Sequence, residues 1–160
     1  MVETPGTMLR PMEAPSTALK LGVVFLGAGL GGILRYSVTL ACIRLAGQMP
    51  GASPPSPSPL WGLPVGTIVV NITGCFAIGV LGTLLAGPGA VRETWRLALM
   101  VGLLGGYTTF SAFGRETLLF IEQGKWGLAG VNVVVSNAAG LLAVFAGHWL
   151  ASRGMLVSAR

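Results

Sequence analysis

The stretch GLLGGYTTFSAF, residues 102–113, lies in the middle of a long apolar segment. Its paired glycines, Gly105 and Gly106, are followed by two threonines, a residue type that caps the start of a helix. This order predicts a break in the helix and a new helix that begins near Thr109. Backbone that is not helical is stable at membrane depth only where it is buried in protein or lines a cavity. The break therefore predicts a functional site within this segment.

Three further apolar segments flank this one, and the whole chain is far more apolar than a soluble domain. Of its 160 residues, 52% are hydrophobic and only 9% are charged, whereas about 25% are charged in soluble domains. Each segment has about the 20 residues that a bilayer-spanning helix needs. The sequence predicts an all-α integral membrane protein with four transmembrane helices, the third of them broken. The helices are expected at about residues 21–43, 61–86, 95–121 and 126–150.

Outside a transmembrane domain expected at residues 20–151, the sequence predicts two tails. Residues 1–19 contain prolines among polar residues and are expected to form a flexible tail, and residues 152–160 are expected to form a C-terminal tail. The segment MPGASPPSPSP, residues 49–59, is expected to form an extended loop between the first two helices. Four helices enclose little interior, so a water-lined path is expected between the subunits of an oligomer.

The net charge of +5 comes from ten Lys and Arg residues against five Glu, and Asp is absent. Nucleic-acid binding requires a clustered basic stripe, whereas these cations flank the apolar segments singly or in pairs, so no nucleic-acid partner is expected. The side that holds both termini carries more cations, which by the positive-inside rule predicts cytoplasmic termini. Insertion in both orientations stays open. The cations of that side are Arg10, Lys20, Arg92, Arg96, Arg153 and Arg160, and those of the opposite side are Arg44, Arg115 and Lys125.

Two patterns that suggest an enzyme or a metal site lack the surroundings that either would need. The stretch GAGLGG, residues 27–32, fits the glycine pattern of a dinucleotide-binding turn, but the acidic residue required about 20 positions later is missing, and the next one is Glu93. Cys42 and Cys75 are isolated inside apolar segments, without disulfide or metal-ligand spacing. A nucleophile, a base and an orienting acid do not occur as a set. The sequence therefore predicts a protein that is not an enzyme.

Strongly polar side chains inside apolar segments are costly and usually face a cavity or a partner. Arg35 lies deep in the first segment, and its depth favours contact with water or an anion over snorkelling to the interface. Asn71 stands near the middle of the second segment, where it can serve a cavity or an interhelical hydrogen bond, and its spacing leaves both open. Asn132, Ser136 and Gly140 recur every fourth residue in the last segment and predict a polar stripe that faces protein or water.

The predicted break offers binding groups of both signs. Carbonyl groups freed near Gly105 and Thr108 can bind a cation, and the N–H groups at the start of the new helix favour an anion. Phe110 and Phe113 lie on one face near that start, and their positive ring edges offer weak contacts to an anion, although ordinary packing is the alternative. Ser111 adds a hydroxyl between them. Because donors predominate among the deep polar groups, an anion is the expected permeant.

From the first helix to the fourth, the sequence resembles the Fluc (CrcB-type) fluoride channel family. The resemblance implies an antiparallel homodimer in the cell's inner (cytoplasmic) membrane, with two fluoride-selective pores along the subunit interface and a central structural sodium ion. By resemblance, Asn71, Phe110, Ser111, Phe113 and Ser136 line the pores, Arg35 lies at the aqueous vestibule, and the carbonyls of Gly105 and Thr108 hold the sodium. The motifs that carry it are residues 31–36, Gly66 and Thr67 with Asn71 and Gly74, and residues 105–113 through Glu116.

Three residues depart from the family's pattern, and two other functions remain open. Ala112 stands where Thr is usual, Gly114 where Ser is common, and Asn132 where Tyr is common. The hydroxyl missing at Ala112 predicts an altered conductance or fluoride affinity. A small multidrug-type dimeric transporter needs a buried carboxylate in helix one, where this chain has Arg35. Glycines four residues apart inside the helices, such as Gly27 and Gly31, predict close packing of helices. A non-transporting membrane assembly subunit explains these glycines but not the broken third helix.

Overall fold

A computed structural model describes residues 16–45, 62–86 and 90–158, and the regular structure within these ranges is entirely helical. The Pro/Ser loop and most of the predicted N-terminal tail lie outside the described residues. In chain order the elements are α1 (Thr17–Leu45), α2 (Val65–Leu84), α3 (Ala90–Arg96), a π-helical segment (Leu97–Leu104), α4 (Gly105–Tyr107), α5 (Phe110–Glu122) and α6 (Trp126–Ser158). The predicted all-α class is confirmed.

Four stretches of the described residues are long and apolar enough to cross a membrane: Thr17–Leu45, Val65–Leu84, Arg92–Glu122 and Trp126–Gly154. Many large apolar side chains point outward from these helices, such as Phe25, which is 77% exposed. Outward apolar surface of this kind suits contact with lipid or with another subunit. The chain is therefore a multi-pass membrane protein, as predicted.

The helix ends differ from the predicted ones for local reasons. Helix α1 begins at Thr17, inside the predicted 1–19 tail, because the Ser16 hydroxyl accepts a hydrogen bond from the Leu19 N–H (3.3 Å) and caps the first turn. Helix α2 begins only at Val65, because it follows a turn at Gly62, whose φ is 78°, and Pro64. Helix α6 continues to Ser158, past the predicted helix end at about residue 150, so the described part of the predicted C-terminal tail at residues 152–160 is helical. Residues 151–158 contain no proline that would end it.

Glycines let the spans pack backbone to backbone, as the four-residue glycine spacing predicts. Helix α1 packs along the π-helical segment and α4, where a Cβ on Gly31 would overlap the Leu103 carbonyl oxygen. Helix α2 packs along α6, where a Cβ on Gly79 would overlap the Val144 carbonyl oxygen. Close approach of this type drives helix association in lipid through van der Waals contact. These two contacts hold α2 and the third span in fixed positions around the break.

The third span is not an ordinary α-helix even before its break. Residues Leu97–Leu104 form a π-helix, and α4 adds a single α-helical turn before the backbone becomes extended. Turns of π-helix are rare, and they are frequent at functional sites. The sequence predicts the break but contains no signal for this wider stretch. It brings Leu104 and Tyr107 into the buried core beside Val70 of α2.

Candidate functional site

The break in the third span lies at Thr108 and Thr109, between α4 and α5. Thr108 (φ −79°, ψ 158°) and Thr109 (φ −150°, ψ 115°) both have extended backbone, and α5 begins at Phe110. The Thr109 hydroxyl oxygen accepts a hydrogen bond from the Ala112 N–H at 3.2 Å, which is the geometry of a helix N-cap. The predicted interruption and restart near Thr109 are confirmed.

Asn71 of α2 fastens the extended backbone at the break. Its Nδ2 donates to the Thr109 carbonyl oxygen at 3.0 Å, and its Oδ1 accepts from the Thr109 N–H at 2.8 Å. One side-chain amide thus satisfies both backbone groups of a residue that has left the helix. Of the two interpretations that the sequence leaves open for Asn71, the interhelical hydrogen bond is present, and the side chain also borders a groove described below.

Two carbonyl groups lose their helical partners at the break. In a continuous α-helix the Gly105 carbonyl would accept from the Thr109 N–H, and the Thr108 carbonyl would accept from the Ala112 N–H. Both N–H groups are diverted, the first to Asn71 Oδ1 and the second to Thr109 Oγ1. Gly105 is exposed and Thr108 is half-buried. Backbone carbonyl oxygens are ligands of hard cations, so the residues fit a cation at this position.

A groove of about 360 Å³ runs between α2, the break, the start of α5 and α6. It brings together six of the eight residues that the sequence analysis selects: Asn71, Gly105, Thr108, Phe110, Phe113 and Ser136. The other two, Ser111 and Arg35, are not among the described residues that border it. The Ser111 hydroxyl lies 3.2 Å from that of Thr109 on the exposed side of the break. Arg35 is half-buried on α1.

Two phenylalanines stand where α5 meets the groove. The ring centroids of Phe110 and Phe113 are 5.2 Å apart, and the rings are tilted by 46°. Phe110 is 79% exposed, whereas Phe113 is buried. A tilted pair turns the positive edge of at least one ring away from the other ring. The pair therefore supplies an apolar wall with weakly positive edges beside the start of α5.

Behind the break, buried polar side chains link α2 to α5 and α5 to α6. Asn132, predicted in a polar stripe that faces protein or water, is one of them, whereas the contact between Thr67 and Glu116 was not predicted. The Thr67 hydroxyl of α2 donates to Glu116 Oε1 of α5 at 2.6 Å, and Glu116 Oε2 is buried without a partner among the described residues. Asn132 of α6 is fully buried and donates to the Thr117 hydroxyl at 2.9 Å. The sequence offered one signal for this contact: Glu116 is a single acidic residue inside an apolar span, and such a group requires a partner.

Comparison with known proteins places the chain in a family. A sequence model of the family described as "CrcB-like protein, Camphor Resistance (CrcB)" matches residues 22–148. The "Fluoride-specific ion channel FluC" of Methylobacterium nodulans is 43% identical over 122 residues, which are 76% of this chain and 87% of the relative. Its namesake from Solibacter usitatus is 39% identical over 135 residues, 84% of this chain and 100% of the relative. The "Fluoride-specific ion channel FluC 2" of Nitrobacter hamburgensis is 37% identical over 125 residues, 78% of this chain and 90% of the relative. The matched region runs from α1 into α6 and includes the break, so the chain belongs to the CrcB-like protein family.

Proposed function

We propose that this chain is a fluoride-selective ion channel, not an enzyme, and that it exports fluoride passively across the inner (cytoplasmic) membrane. The relatives that share 37–43% of its residues over most of their length are named fluoride-specific ion channels. The observation that carries the proposal is the broken third span, held open by Asn71 beside the groove. A regular membrane helix would offer an ion only side chains, whereas a break also offers backbone groups.

The groove provides what a small, strongly hydrated anion requires. Fluoride crosses a membrane only if short, strong donors replace its water, and a narrow passage disfavours the larger chloride. Asn71 and Ser136 bring an amide and a hydroxyl to the groove, where the Ser136 hydroxyl donates to Asn132 Oδ1 over a long 3.5 Å, and Ser111 adds a second hydroxyl beside the break. Phe110 and Phe113 exclude bulk water and present ring edges. Arg35, half-buried on α1, raises the local anion concentration at the mouth of the path.

A second copy completes the path in this proposal. In one copy the groove is open, and Phe110, one of its walls, is 79% exposed. The polar side chains that border the same groove, Asn71 and Ser136, are better covered by protein or water than by lipid. We assign the covering partner to an antiparallel second copy, which gives a homodimer with two equivalent pores. The apolar outer faces of the spans contact membrane lipid.

A sodium ion is assigned to the cation position at the break. The Gly105 and Thr108 carbonyls, freed when Asn71 and Thr109 take their helical partners, are the ligands that this chain contributes. Two copies related by a twofold axis would together supply four such oxygens. The ion would be structural, since it would neutralise carbonyl dipoles that otherwise face one another across the dimer axis.

Fluoride efflux from proteoliposomes, followed with a fluoride electrode, tests the proposal. The purified protein should release fluoride, and Phe110→Ile should abolish the release while the protein stays folded and dimeric. Phe25→Ile is the matched control, because Phe25 is equally exposed (77%) but lies on α1 away from the groove. Normal efflux from Phe110→Ile removes the pore assignment. If neither the unmodified protein nor any variant releases fluoride, the result favours an assembly subunit. If the protein instead exports organic cations in exchange for protons, the result favours a multidrug-type transporter.

A further inference from the structure

Asn137 of α6 borders the same groove and has no role in the proposal above. It follows Ser136 directly, it is exposed, and it lies on the groove wall together with Asn71 and Phe110. Its Nδ2 donates to the Val133 carbonyl oxygen of its own helix at 2.7 Å. A second side-chain amide therefore faces the groove from the helix opposite Asn71.

The hydrogen-bonding capacity of this amide is mostly unused. A side-chain amide carries two N–H donors and an oxygen with two acceptor sites. The Val133 carbonyl takes one N–H, and no other partner of the Asn137 side chain occurs among the described residues. Because a carbonyl can only accept, the group bound to it must be the NH₂ and not the oxygen. The second N–H of that NH₂ group is therefore free to donate to another partner.

Asn137 lies deep within its span. It is about 17 Å along the helix axis from Trp126, where the span begins, at about 1.5 Å per residue. Asn71 and the break are also near the middles of their spans. Lipid cannot satisfy an amide at that depth, and leaving one unsatisfied is costly. A polar occupant must therefore meet Asn137 inside the groove.

We propose that Asn137 is a further pore residue, whose free N–H donates to the anion as it passes the position of Asn71. This inference rests on the proposed function. The amide oxygen is also unused, and the assignment of an anion rests on the free N–H, because Asn71 on the same groove likewise keeps one N–H beyond its bond to the Thr109 carbonyl. Asn137 would thereby supply, from α6, a donor that the hydroxyl-free Ala112 of α5 cannot.

The test compares Asn137→Leu, which keeps a similar shape without any donor, with Asn137→Gln, which keeps the amide. Val134→Leu is the matched control, because Val134 lies at a similar depth on α6, is 65% exposed and does not border the groove. Initial fluoride efflux from proteoliposomes and dimer content by size-exclusion chromatography are measured for each. Asn137→Leu should lower efflux by about tenfold or more, the size expected for one lost hydrogen bond to an ion. Asn137→Gln and Val134→Leu should retain most of it, and all three should stay dimeric.

Each other outcome overturns the inference in a distinguishable way. If Asn137→Leu conducts like Val134→Leu while Phe110→Ile is inactive, Asn137 is not in the path and the proposed function stands. If Asn137→Leu is monomeric while Asn137→Gln is dimeric, the amide binds the second copy and not the anion. If Phe110→Ile also conducts normally, the pore assignment itself fails. Should Asn137→Leu not fold, Asn137→Ala removes the amide with a smaller side chain, and unchanged efflux from it refutes the role of Asn137.

Discussion

Replacing Asn71 with alanine should destabilise the break and not merely remove a pore donor. The side chain joins α2 to the extended backbone through two hydrogen bonds, one to the Thr109 carbonyl at 3.0 Å and one from the Thr109 N–H at 2.8 Å. Asn71→Ala deletes both and leaves two backbone groups without partners at membrane depth. Lipid offers neither group a replacement partner, so the backbone at the break should open more often.

The magnitude follows from the number of bonds lost. A hydrogen bond contributes about 0.5–1.5 kcal/mol net in water, and interhelical bonds in membrane proteins average about 0.6 kcal/mol. Two bonds to a single side chain therefore give a loss of about 1–3 kcal/mol in the free energy of unfolding. Ser37→Ala is the matched control. The Ser37 hydroxyl donates only to the Ile33 carbonyl of its own helix, at 3.0 Å, and its removal should change the free energy by less than about 0.5 kcal/mol.

Reversible unfolding in mixed detergent micelles measures the global loss, and hydrogen exchange measures it at the site. A local loss of about 2 kcal/mol predicts exchange of the Thr109 N–H that is about 30-fold faster. Asn71→Ala that unfolds like Ser37→Ala, with unchanged exchange at Thr109, would refute the view that this amide holds the break open. A global loss without faster exchange at Thr109 would place the effect elsewhere in α2.

Three smaller perturbations check other parts of the structure by the same unfolding measurement. Thr109→Val removes the N-cap acceptor of α5 and should cost about 1 kcal/mol, whereas Thr109→Ser keeps the hydroxyl and should cost much less; equal losses would contradict the capping role. Gly79→Ala places a Cβ against the backbone of α6 and should cost more than about 1 kcal/mol, while Gly130→Ala, in open space on α6, should stabilise by about 0.5–1 kcal/mol. Thr67→Val strips the bonded oxygen of Glu116 of its donor and should cost about 1–3 kcal/mol, and a neutral result would mean that the carboxyl group finds another partner.

The helix count and the break were predictable because each leaves a local mark in the sequence. Long apolar segments are sufficient to predict four spans, since a segment in contact with lipid must hydrogen-bond its own backbone groups and therefore forms a helix. Paired glycines followed by Thr108 and Thr109 are sufficient to predict the break, since capping is decided by a few neighbouring residues. The four-residue spacing of Gly27 and Gly31 likewise predicts close approach, which the backbone contacts of both glycines confirm.

The remaining features depend on which helices become neighbours, and sequence spacing does not contain that information. Asn71 and Thr109 are 38 positions apart, and Thr67 and Glu116 are 49 apart, yet each pair is hydrogen-bonded. The π-helical segment also has no local signal in its sequence. The end of α6 was predicted too early, at about residue 150, for a simpler reason. Its last residues lack a strong stop signal, so the helix extends further than the apolar segment.

The hydrogen bonds made at the break determine which backbone groups remain available to bind an ion. Three backbone donors at the break have protein acceptors. The Thr108 N–H donates to the Leu104 carbonyl, the Thr109 N–H donates to Asn71 Oδ1, and the Ala112 N–H donates to the Thr109 hydroxyl. These three bonds leave free acceptors, the carbonyls of Gly105 and Thr108, on the α4 side. On the α5 side, the first turn retains N–H groups that no intrahelical carbonyl reaches. A single interruption thus leaves acceptors before the break and donors after it, which is what the proposed cation and anion sites require. A continuous helix here would remove both, and we therefore expect any substitution that closes the break to weaken cation binding and anion passage together.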